Sequence, residues 1–171
     1  MISDACKNAE EWTEKDILYV VGSIGKNTNM LNHLCMVYGT EYCASENCYK
    51  RIREIIKEGV ESTPGIEFAE SKELGHINKV DPLGITYMRV RGMWGIENPW
   101  KVFSYIYQRD FSNRFNFMSI ISNTKWNTLD NRNALIELAN CFETLNITDK
   151  QVNNPDNPAQ QIDVKLITFY I

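Results

Sequence analysis

The chain has 171 residues, 43 % hydrophobic, 11 % aromatic and 23 % charged. That composition excludes disordered and collagen-like chains, and the length is enough to bury a sizeable core. Lys and Arg number 18 against 22 Asp and Glu, a net charge of −4. A general nucleic-acid binder neutralises phosphates with a basic excess, so no nucleic-acid partner is expected.

The longest aliphatic and aromatic run is Ile17 to Val21, far short of the roughly 20 residues of a membrane span. No apolar stretch of the secretory kind occupies the first residues. Five cysteines (Cys6, Cys35, Cys43, Cys48 and Cys141) include no CxxC pair. They read as free thiols of a cytoplasmic protein, with no metal or cofactor expected.

Residues 1–63 read as an N-terminal helical segment. Thr13 is a candidate N-cap for a helix through Ile17, Leu18, Val20 and Val21, ended by Gly22 and Gly25. A second helix is expected over about 29–38, with Met30, Leu31, Leu34 and Tyr38 on one side. In the third, Ser45 is the cap, Tyr49, Ile52, Ile56 and Val60 fall at helical spacing, and Gly59 marks the end. Its charged face, with Lys50, Arg51, Arg53, Glu54 and Lys57, reads as solvated.

Beyond Pro64-Gly65 the pattern becomes α+β over 64–171. Short strands are expected at Ile66 to Phe68 and at Gly75 to Val80, and a longer one at Ile85 to Trp94. In the last, Thr86, Met88, Val90, Gly92 and Trp94 share one face while Tyr87, Arg89 and Arg91 face water. Asn98-Pro99 opens a helix whose stripe is Trp100, Phe103, Ile106 and Tyr107. Phe111 to Met118 is aromatic and irregular. A helix is expected over about 133–145, a Pro- and Asn-rich loop over 151–161, and a closing strand over 162–171.

Catalytic motifs of the GxSxG, HExxH and phosphate-loop kinds are absent. Histidine is limited to His33 and His76, and Glu67, Glu70, Glu73 and Asp81 read as surface or turn residues. What remains is apolar. Met88, Val90 and Trp94 on a strand face precede Trp100, Phe103 and Tyr107 on a helix stripe. These form either ordinary core or one wall of a pocket for an apolar ligand.

The stretch Gly84-Ile85-Thr86-Tyr87-Met88-Arg89-Val90-Arg91-Gly92, the helix Asn98 to Tyr107, and Asp110 followed by Asn113-Arg114-Phe115-Asn116 together resemble the first half of a START lipid-transfer domain. Phe115 and Asn116 stand where that family usually has Trp and Asp. The resemblance implies a helix-grip fold, in which an antiparallel sheet wraps a long helix, here as a single domain and in an incomplete version of the START fold. It implies non-catalytic binding or transfer of a lipid or sterol against Met88, Val90, Trp94, Phe103 and Tyr107, with transient membrane contact. The alternative is a protein-interaction module or a START remnant without lipid transfer.

Overall fold

The computed structural model describes residues 16–71, 73–78, 80, 83, 85–91 and 97–171, with Glu46 and Pro158 described by their backbone alone. In chain order the elements begin with strands β1 (Leu18–Ile24) and β2 (Leu31–Tyr38), a helical turn α1 (Gly39–Tyr42) and helix α2 (Glu46–Glu61). Strands β3 (Glu67–Phe68), β4 (Gly75–Asn78) and β5 (Met88–Val90) follow, then the turn α3 (Pro99–Val102) and strand β6 (Asn116–Ser122). The chain closes with α4 (Asn123–Trp126), α5 (Arg132–Cys141), β7 (Leu145–Asn154) and β8 (Asn157–Tyr170). Among the described residues no helix is long and apolar enough to cross a membrane.

Two compact units result, one built on Ala44–Ile96 and the other on Cys6–Cys43 with Glu97–Ile171. The latter holds a five-stranded sheet in the order β1-β2-β6-β8-β7. β2 and β6 run parallel, and every other neighbouring pair is antiparallel. β6 is central, and from Met118 to Ser122 every residue is buried, as expected of a strand covered on both faces. One face buries Cys35, Val37, Met118, Ile120, Val152, Val164 and Leu166 beneath Trp100 and Phe103. The opposite face packs Ile121, Trp126 and Ile167 with Tyr38, Phe117, Leu135, Leu145 and Ile147.

The helix expected through Ile17 to Val21 and the one expected over about 29–38 are strands β1 and β2. Burial alternates residue by residue along β1 and from Asn32 onward in β2, the period of a sheet rather than a helix. The β-branched run Val20-Val21 and the turn after Ile24 suit that outcome. Gly25 there receives Thr28 N–H at 3.3 Å and donates to the Met30 carbonyl at 3.0 Å, and Asn29 takes a left-handed φ of 50°. The stretch 151–161 is no loop either. β7 runs on to Asn154, and the turn at Pro155-Asp156 leads straight into β8.

The unit built on Ala44–Ile96 contains α2 and the sheet β3-β4-β5. Here the expected helix is present. It runs past Gly59 to Glu61, and Gly65 takes the left-handed φ of 82°. Gly75 and Ile77 of β4 are buried, and a Cβ added at Gly75 would come within 3.1 Å of Ile56 Cγ2. One face of this small sheet therefore lies on α2. The α+β class holds, but a helix-grip fold does not. The larger sheet is mixed, with a parallel pair at its centre, and the long helix belongs to a different unit.

Candidate active site

Among the described residues β7 and β8 form the most extensively paired hairpin, and its polar end carries a cluster that the sequence spacing hides. Across the antiparallel register, Asp149 pairs with Lys165 and Gln151 with Asp163. Alternation along each strand puts all four side chains on one face. Lys165 Nζ lies 2.6 Å from Asp149 Oδ1, and Gln151 Nε2 donates to Asp163 Oδ1 at 2.9 Å. Asp149 and Asp163 are diagonal neighbours, with Cα atoms about 7–8 Å apart. Lys165 is largely covered at 24 % side-chain exposure, whereas Asp149 is open at 71 %. The stem of the lysine is thus held against the sheet while the carboxylate faces solvent.

The same face continues across the sheet. Lys165 pairs with Ile121 of β6, and one step beyond the Val37–Ile120 pair of β2 and β6 stands Tyr38. Lys125 of α4 sits 5.1 Å from the Tyr38 ring centroid and 2.6 Å from Asp16 Oδ2. Thr40 Oγ1 lies 3.0 Å from Asp16 Oδ2 and 2.9 Å from Glu41 Oε1, and Glu41 is 2 % exposed. β2 and β6 both end at this edge. The carboxyl ends of a parallel pair are where ligands commonly bind in open α/β sheets.

Two carboxylates and an ammonium on one open face can orient a phosphate, hold a hard cation and move protons. The sequence places Asp163 and Lys165 in the closing strand expected over 162–171 without singling out either of them or Asp149. The available signal was the alternation Ile162-Asp163-Val164-Lys165-Leu166, which sets an acid and a base on one face. Its partner acid becomes visible only once residues 151–161 are read as the two arms of a hairpin.

The residues expected to line a lipid cavity are divided between the two units. Met88, 46 % exposed, and Val90 lie on β5. Phe103, 2 % exposed, and Tyr107 pack into the larger sheet's core, where Trp100 and Tyr107 are 6.0 Å apart. Trp94 lies outside the described residues. An apolar cavity of about 770 Å³ does exist, but Phe117, Ile121, Leu135, Phe142, Ile167 and Phe169 are among its lining and none of the expected residues is. The four described cysteines are free thiols, and burial pushes the Cys35 thiol up to about 12.

With this geometry in hand, the comparisons with known proteins are decisive. The sequence profile of the NgoPII restriction endonuclease matches residues 1–153. This chain belongs to the NgoPII restriction endonuclease family. It is 53 % identical, over all 171 of its residues, to the Type II restriction enzyme NgoPII of Neisseria gonorrhoeae. The chain spans 60 % of that relative's length. No solved structure matches.

Membership of this family overturns the START resemblance. With it go the lipid or sterol ligand, the non-catalytic reading and its interaction-module alternative, and the exclusion of nucleic acid. The physical reasons are plain. A strand of alternating apolar and basic residues between glycines is common to many sheets. A net charge of −4 averages over the whole chain and does not describe the local face that meets a partner.

Proposed function

We propose that this chain carries the phosphodiester-cleaving centre of a DNA endonuclease, with Asp149, Asp163 and Lys165 as its catalytic residues. The observation that carries the reading is the convergence of these three side chains on one face of the β7–β8 hairpin, in a chain 53 % identical throughout to a restriction enzyme. In the reaction a water adds to phosphorus and one ester oxygen leaves, its proton balance closed by solvent. Lys165 stands beside the acid and is positioned to bind a non-bridging phosphate oxygen and offset its growing charge. Gln151 fixes one oxygen of Asp163, which orients that carboxylate before DNA arrives.

Nuclease chemistry commonly enlists divalent cations, and the donor set here suits one. Among the described residues no group of three or more His, Cys, Asp or Glu converges. Mg²⁺, however, is usually held by one or two carboxylates, with waters and substrate phosphates completing its shell. Asp149 and Asp163 are the residues that would hold it. When bound, it would polarise the phosphate and lower the pKa of a bound water.

The test is cleavage of supercoiled plasmid by the purified chain with Mg²⁺, beside the Asp163→Asn variant. Nicked and linear products from the parent and none from the variant are expected. Equal cleavage by both, or none by either, overturns the assignment.

A further inference from the structure

The sheet β3-β4-β5 has one face on α2. The other face mixes polar and charged side chains with the exposed Ile85 and Tyr87. His76 pairs with Arg89 and Asn78 with Glu67 across the register. Together with Thr86 and Tyr87 these side chains line one depression of about 520 Å³. Tyr87 is anchored over this face, its ring 6.0 Å from that of His76 and 6.0 Å from the Arg89 guanidinium.

Glu73 organises the two arginines. Its side chain is 17 % exposed, and it meets Arg91 Nε at 2.6 Å through Oε1 and Arg89 Nε at 3.2 Å through Oε2. The Oε2 contact is an ion pair without hydrogen-bond alignment. Among the described residues Arg91 thus donates its Nε–H to Glu73, while Arg89 meets the same carboxylate as an ion pair at the inner end of its guanidinium. Their side chains remain 47 % and 59 % exposed. A guanidinium fixed at Nε offers its two terminal nitrogens end-on, the fork that matches O6 and N7 of guanine.

The dimensions agree. Neighbouring strands such as β4 and β5 lie about 5 Å apart, and the major groove of B-DNA, about 12 Å wide, admits a two-stranded β-ribbon of this kind. Positive forks presented outward complement the electronegative guanine edge.

We propose that the open face of β3-β4-β5 reads base edges in the major groove of duplex DNA, with Arg89 and Arg91 as its guanine-reading pair. This inference rests on the endonuclease reading and adds to it a specificity surface in a different unit of the chain.

The test is selection from a randomised duplex library by the full chain, with a chelator present to prevent cleavage. The parent, Arg89→Gln, Arg91→Gln and Arg89→Lys are compared. The parent is expected to enrich a motif containing guanine. Each Gln variant should lose preference at a guanine position by roughly 5- to 150-fold, with the salt dependence of affinity unchanged. Arg89→Lys keeps the charge but not the fork, so it should lose the same preference while retaining affinity for random DNA. It stands as the second variant should a Gln variant misfold.

An unchanged motif in the Arg89 and Arg91 variants overturns the proposal. So does weakening that is uniform across sequences with the salt slope reduced by about 1, which marks phosphate contacts. A parent that enriches no motif overturns it too. The plasmid assay separates the two readings, because cleavage that depends on Lys165 without any motif leaves the endonuclease standing and removes only the reading face.

Discussion

Replacing Lys165 with Met removes an ammonium and keeps most of the hydrocarbon stem, so catalysis and folding should respond on different scales. The lysine pairs with Asp149 at 2.6 Å, but the carboxylate is 71 % exposed. Solvent screening therefore limits the pair to about 0–1 kcal/mol of stability, roughly 2–4 °C in Tm per kcal/mol for a chain of this size. A positioned cation or proton donor at a reacting phosphate contributes about 10²- to 10⁴-fold in rate. At 1.36 kcal/mol per tenfold, that is roughly 3–5 kcal/mol of barrier. The two effects differ several-fold and can be read on the same preparation. Thermal unfolding gives the first, and the initial rate of supercoiled plasmid loss, at saturating Mg²⁺, gives the second. A Met variant that cleaves within tenfold of the parent at unchanged Tm would refute a catalytic role for Lys165. A variant that loses activity only in proportion to lost folded protein would refute it equally.

Three further outcomes follow from the fold. Ile120 is fully buried in the central strand, so Ile120→Ala should cost about 2–5 kcal/mol in denaturant unfolding. Cys35 is fully buried with its thiol pushed up to about 12, while Cys141 is exposed. A thiol reagent at pH 8 should modify Cys141 in the native protein and Cys35 only after unfolding, as peptide mapping would show. The pKa of His33 is lowered from 6.5, by burial first and by the Arg109 guanidinium second. Its unfolded form therefore binds a proton at higher pH than its folded form. The stability this gives is complete above 6.5 and is lost as pH falls through the lowered value. Unfolding midpoints should drop more steeply below pH 6.5 in the parent than in His33→Gln.

How far the sequence could be read depended on whether a local rule decided the element. Asn98-Pro99 was legible because a cap is a local device. Asn98 Oδ1 accepts from Trp100 N–H at 3.0 Å, as the Asn-Pro pair implies. The helix from Glu46 was legible because its apolar residues recur at 3.6 without competition. The first two strands were not, since Met30, Leu31, Leu34 and Tyr38 also satisfy a helical spacing. Pairing of β2 with β6, some eighty residues downstream in chain order, decided between the two periods, and no window of sequence contains that contact.

The candidate active site shows the same limit in sharper form. Asp163 and Lys165 are two apart and could be placed on one face from alternation alone. Asp149 joins them only if residues 149 and 165 are opposed, and opposition is a property of the hairpin's register. The turn chemistry at Pro155-Asp156 was present, with Asn154 Oδ1 accepting from Asp156 N–H at 2.9 Å, an Asx turn of the kind that reverses a chain. Reading two prolines as a loop discarded the reversal, and with it the pairing of Asp149 with Lys165. Charge arithmetic failed for a related reason. A centre of the proposed kind, with a few carboxylates and arginines, would need no basic chain, because each contact would depend on local placement. The net charge of −4 constrains only the long-range field of the protein. It does not decide what groups the β7–β8 face presents locally.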